Sequence, residues 1–213
     1  MCRKLVLLPT LILSVLGCQA QNERDHGSSI RSKEIKMSDN NDKQLKERVS
    51  AVLSDKEALQ LVHVHFSANS FNDCWTYIEK EERTDEDVEN MLLLANTSLW
   101  HWTQRSDCTP QNLSIAYWQL GRVNCLAGDT ALAQHYGEKC IEISKENKLG
   151  PFCLGYGYEV MADASVLKGN KKDAEKYLQL ATDEMEKVQD KFDRDLLQKD
   201  IERIRKLVHA QLE

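Results

Sequence analysis

A chain of 213 residues has room for one domain plus appendages. Its three prolines and nine glycines argue against a β-sandwich or barrel, which needs many turn residues, and a net charge of −6 argues against a nucleic-acid partner, whose phosphates demand clustered Lys and Arg. Hydrophobic residues at 41% beside charged residues at 29% fit a helical protein with a thin core and much solvated surface.

At the N-terminus Arg3 and Lys4 precede an apolar run from Leu5 to Leu16. The run is too short to span a bilayer and has the length of a signal-peptide core. Val15-Leu16-Gly17-Cys18 closes it and resembles the lipobox of bacterial lipoproteins. The resemblance implies residues 1–17 as a cleaved signal peptide and Cys18 as the lipidated residue, anchored by several acyl chains. Gln19 stands where an aspartate would retain the protein at the inner membrane, so enterobacterial sorting, by analogy, favours the outer membrane. The competing expectation is a cytoplasmic protein translated from Met37. Residues 18–42 read as a disordered tether, lacking aromatics and nearly balanced in charge, with a reach of roughly 25–30 Å.

The folded domain is expected over 43–213. Leu45, Val49 and Val52 suggest a short amphipathic helix starting near Lys43. Ser54 and Glu57 have capping-box spacing, and the following helix is expected to bury Leu59, Val62, Val64 and Phe66. Ser67 to Ser70 reads as an interruption, after which Phe71, Trp75 and Ile78 recur at helical spacing. Thr84 and Asp87 open the next helix behind an acidic first turn. From Met91 to Gln104 that helix carries no Asp, Glu, Lys or Arg, which predicts a slat buried on most faces.

Thr109-Pro110 is a helix start, and Gly128-Asp129 turns the chain into a partner helix over Thr130 to Lys145. Gly150-Pro151, Gly169-Asn170 and a helix to about Gln189 make a second such pair. The last helix, about Phe192 to Leu212, has the stripe Leu197, Ile201, Ile204, Val208. With Lys199, Glu202, Arg203, Arg205 and Lys206 elsewhere, it reads as a capping helix. The cysteines Cys74, Cys108, Cys125, Cys140 and Cys153 show no metal-ligand spacing and read as core thiols rather than disulfides.

Aligned on Gly128 and Gly169, the two helix pairs match without a gap: Gly121 with Ala162, Ala133 with Ala174, Tyr136 with Tyr177, Cys140 with Ala181. Tyr117, Leu120-Gly121, Gly128, Ala133, Tyr136 and Cys140 resemble a tetratricopeptide repeat, and the second copy supplies Tyr158, Met161-Ala162, Gly169, Ala174, Tyr177 and Ala181. Asn124 and Ser165 depart from the large aromatic usual there. The resemblance covers Ser114 to about Lys187. More loosely, Phe71 to Asp200 resembles a group of uncharacterised bacterial proteins of tetratricopeptide type. The expected fold is therefore all-α: a stack of about three antiparallel helical hairpins plus a C-terminal capping helix, the first hairpin over Asp55 to Gln104.

In tetratricopeptide stacks the first helix of each hairpin lines a concave groove. Carried over by position, that groove would present Trp118, Arg122, Tyr156, Glu159 and Asp163 to a protein or peptide partner. An Arg beside two carboxylates fits an inter-helix ion pair equally. A second candidate is a small-ligand or catalytic pocket where His101 meets Trp118 or Trp75 and Arg122, with aromatic walls and a few polar groups. No nucleophile elbow, metal-binding histidine motif or phosphate loop is present, so neither enzyme activity, cofactor nor metal is expected. The reading is a lipid-anchored envelope protein that binds another protein or peptide.

Overall fold

The computed structural model describes residues 39–210, all helical apart from short connections. The expected signal peptide, Cys18, Met37 and most of the tether lie outside the described residues. The chain divides at Ala58/Leu59 into two units. The first contains α1 (Asp39–Ser54), which starts earlier than Lys43 and carries Leu45, Val49, Val52 and Leu53 exposed.

α2 (Lys56–Ile78) differs from expectation in three ways. Asp55, not Ser54, caps it: its Oδ1 accepts from the amides of Glu57 and Ala58 at 2.9 and 3.2 Å. No break occurs at Ser67 to Ser70. The buried stripe is His63, Ser67, Ser70, Phe71, Cys74 and Ile78, while Val64 and Phe66 are exposed and Leu59 and Val62 half-buried. The reason is close approach to α3 (Asp85–Thr103). Small side chains let the helices pack closely, and their polar atoms are satisfied across the seam. Ser98 donates to the Ser67 carbonyl at 2.8 Å and the Cys74 thiol to the Met91 carbonyl at 3.4 Å.

α3 opens at Thr84 as expected, and Thr84 and Asp87 cap each other reciprocally. It is one-sided, however. Met91, Ala95, Ser98 and Trp102 are buried, while Leu93 and Trp100 face outward. The helix enclosed on most faces is instead α6 (Pro151–Leu167), buried from Gly155 through Val166. It packs against α4 (Pro110–Ala127), α5 (Thr130–Glu146), α7 (Lys171–Met185) and α8 (Lys191–Ala210).

The two hairpins α4/α5 and α6/α7 form as their turn residues dictate. Gly128 and Gly169 sit at φ 79° and 70°, a conformation costly for side chains with a Cβ. Thr109 caps α4 with Pro110 in its first turn. The repeat is visible in three dimensions. Tyr117 stacks on Tyr136 and Tyr158 on Tyr177, with ring centroids 6.3 and 6.4 Å apart. Asn124 and Ser165, where an aromatic is usual, each turn a buried polar group back onto the carbonyl four residues earlier, at 2.7 Å in both cases. Val160 of α6 enters a hollow made by glycines. A Cβ on Gly121 would stand 2.5 Å from its Cγ1, and one on Gly137 3.0 Å.

α8 buries the expected stripe of Leu197, Ile201, Ile204 and Val208 against α6 and α7. The fold is thus an all-α stack of hairpins closed by a capping helix.

The five described cysteines are free, and Cys74, Cys125, Cys140 and Cys153 are buried. Burial pushes the thiols of Cys74 and Cys140 up to about 12 and those of Cys125 and Cys153 upward as well. Iodoacetamide applied to the native protein at pH 8 therefore modifies Cys108 well before these four, as peptide mapping by mass spectrometry will register. Fast modification of Cys140 would contradict the packing.

Candidate functional site

The residues expected to line a groove come together, but inside the protein. Trp118 is 3% exposed and Glu159 fully buried, Tyr156 and Asp163 are buried, and only 11% of the Arg122 side chain reaches solvent. An open groove at these positions is ruled out by what fills it. α8 lies across α6 and brings Arg203 and Asp200 into the space a peptide would occupy.

The cluster is built by the repeat period. Trp118 and Glu159 are 41 residues apart, as are Arg122 and Asp163, so equivalent positions of successive hairpins face each other. The Trp118 indole N–H donates to Glu159 Oε2 at 3.1 Å. Arg122 Nη1 donates to Asp163 Oδ2 at 2.8 Å and stands 3.8 Å from Glu159 Oε1. Asp200 lies a further 41 residues beyond Glu159. α8 therefore takes the place of the first helix of a next hairpin. From it Arg203 Nη2 donates to Asp163 Oδ2 at 2.7 Å and Glu159 Oε1 at 3.0 Å, while Asp200 Oδ2 accepts from the Tyr156 hydroxyl at 3.3 Å. The ion-pair alternative is the one realised.

Burial, followed by the charge of Asp200, raises Glu159 to about 8 against the pull of Arg122. Burial raises Asp163 and Asp200 too. Burial alone would lower Arg122, but Glu159, Asp163 and Asp200 more than offset it, so its guanidinium stays charged. The cluster can hold charge and protons, and it contains no nucleophile with a partnered base.

Aromatic rings continue beside the ions. Trp75, half-buried on α2, lies 5.9 Å from Trp118, which meets Tyr156 at 4.6 Å, and Tyr156 meets Phe152 at 4.9 Å. His101 is not part of this row. Its Nδ1 lies 2.9 Å from His63 Nδ1, and its ring contacts Phe66 and Trp100 at 5.1 and 4.7 Å. Burial, then the neighbouring His63, holds its imidazole below the usual range and keeps it neutral. The pocket combining His101 with Trp118, Trp75 and Arg122 is therefore not formed. Among the described residues no group of three or more His, Cys, Asp or Glu is arranged to hold a metal ion, and no helix is long and apolar enough to cross a membrane.

Reasoning from sequence placed Arg203 on the charged face of the last helix and assigned Asp200 no place, so both were missed. The available signal was position: both lie on one shoulder of the stripe Leu197, Ile201, Ile204, Val208. Comparison with family models, with curated proteins and with solved structures returned no match.

Proposed function

We propose that this chain is a lipid-tethered helical-repeat protein that binds a protein partner at a bacterial membrane surface, the outer membrane being favoured. The observation that carries the reading is the outer side of α3. Trp100 is 56% exposed and Leu93 58%, two turns apart on the side opposite the buried Met91, Ala95, Ser98 and Trp102. Large apolar side chains exposed together on one helix side are characteristic of an interaction surface. The polar residues that a tetratricopeptide groove would offer are already engaged with α8, so the partner is taken on this other face. A partner helix presenting its own apolar side chains suits it, with Trp100 as the anchor residue. The lipobox resemblance at Cys18 is what supports the address.

A photoreactive amino acid at Leu93 in the full-length protein, expressed in its bacterium, tests both halves. A discrete cross-linked species is expected, lost on Trp100→Asp and absent when the probe is moved to Lys176. Cys18→Ser is expected to release the protein from the membrane fraction. Equal cross-linking from Leu93 and Lys176 rules out the surface, and a Cys18→Ser protein that still sediments with membranes rules out the anchor.

A further inference from the structure

Three helices meet at the ionic cluster, and their charges do not balance. The guanidinium groups of Arg122 from α4 and Arg203 from α8 contact the carboxyls of Glu159 and Asp163 from α6. Asp200 of α8, bonded to the Tyr156 hydroxyl, touches neither arginine but stands close enough for its charge to act on Glu159, Asp163 and Arg122. Fully ionised, the five groups carry one uncompensated negative charge, shared with a Glu159 that has no solvent contact at all. Isolated buried charge is costly, and closely spaced carboxyls relieve it by sharing a proton. The hydrogen bonds leave the arrangement imperfect in a second respect. Arg203 Nε is buried with no partner, so the guanidinium that joins α8 to α6 is held through Nη2 alone.

We propose that this cluster is a proton-loaded latch for α8: one proton sits on its carboxyls while α8 is docked, and α8 loosens when that proton passes to solvent. The groups facing the cluster from each helix bear on this. α4 adds Cys125 and α5 adds Cys140, both neutral thiols. The exposed Lys199 of α8 attracts Asp200, and Arg83, between α2 and α3, repels Arg122. α7 brings Glu184 over Gly155, one turn from Glu159, where it is paired with Lys187 at 2.9 Å. None supplies a buried cation to replace the proton. The raised carboxyls set the direction. An unfolded glutamate releases its proton near 4.5, and Glu159 releases it near 8. The folded state therefore binds the extra proton between those values, and its stability falls as pH rises from about 4.5 to about 8. Above that range the penalty is complete and constant. The apolar stripe of α8 keeps the helix in contact, so the latch changes how tightly α8 is held, not whether the domain folds.

The Trp118 indole N–H donates to Glu159, so its 15N–1H resonance reports the titration directly. In the full-length protein that resonance, assigned with Trp118→Phe, is expected to titrate with a midpoint near 8. Hydrogen-exchange protection of α8, corrected for the intrinsic pH dependence of exchange, is expected to fall about tenfold between pH 6 and pH 9. Protection in α5 is expected to hold. Glu159→Gln removes both responses. Asp200→Asn, at a half-buried position, lowers the indole midpoint and supplies the answer if Glu159→Gln does not fold. The latch is overturned by an indole that titrates below pH 5 or not at all. It is equally overturned by α8 protection that is unchanged with pH, or by an Asp200→Asn midpoint that stays at the wild-type value.

Discussion

Arg122→Met lowers stability by about 3–5 kcal/mol at pH 8, the usual cost of removing one partner from a buried ion pair. The reason lies in what stays behind. Asp163 Oδ2 loses a donor at 2.8 Å, and Glu159 loses the opposite charge that pulls its proton affinity down. Methionine fills most of the volume, so the loss is electrostatic rather than a cavity. The same substitution is expected to cost distinctly less at pH 5.5, where both carboxyls take up protons with less effort. Urea unfolding followed by circular dichroism at the two pH values reads the difference. A cost that is the same at both would mean that Arg122 acts through packing alone.

The second large effect is steric. Gly121→Leu is expected to destabilise by about 3 kcal/mol, the upper part of the overpacking range, although leucine is the better helix former. A Cβ there stands 2.5 Å from Val160 Cγ1, and β-branched Val160 has little rotamer freedom with which to retreat. The enclosure of α6 on most faces leaves nowhere for it to go. Val160→Ala makes room, so the double variant should be more stable than the sum of the two losses by at least about 1 kcal/mol. Strict additivity in thermal or chemical unfolding would show that α4 and α6 separate to accept the larger side chain, and that this contact does not set the stack.

The stack was legible because its signals are local. Thr109-Pro110, Gly128 and Gly169 start and stop helices through their own backbone preferences, and the matched spacing of Tyr136 and Tyr177 repeats the packing. The first hairpin was harder to read. α2 buries His63, Ser67 and Ser70, and nothing in a polar stripe announces burial. The partners that make it favourable, such as Ser98 for the Ser67 carbonyl, are 31 residues away. α3 misled in the opposite sense. Its lack of charge suggested enclosure, yet Leu93 and Trp100 are outside.

At the candidate site, the set Trp118, Arg122, Tyr156, Glu159 and Asp163 followed from the repeat period. Whether a cleft or an ionic cluster results depends on what lies over those residues, and the period alone does not say. The covering groups come from α8, at separations of 40 to 44 residues, and their approach depends on the tertiary path of the chain.

The 41-residue ladder also orders events in time. Every rung links neighbouring elements, so folding proceeds by short steps outward from whichever hairpin forms first, with low loop-closure cost. The rung made by α8 is different, because both carboxyls that Arg203 joins lie on α6, so its charges lose water only as α8 docks there. Desolvation of the guanidinium of Arg203 thus belongs to the docking of α8 rather than to the pairing of the hairpins.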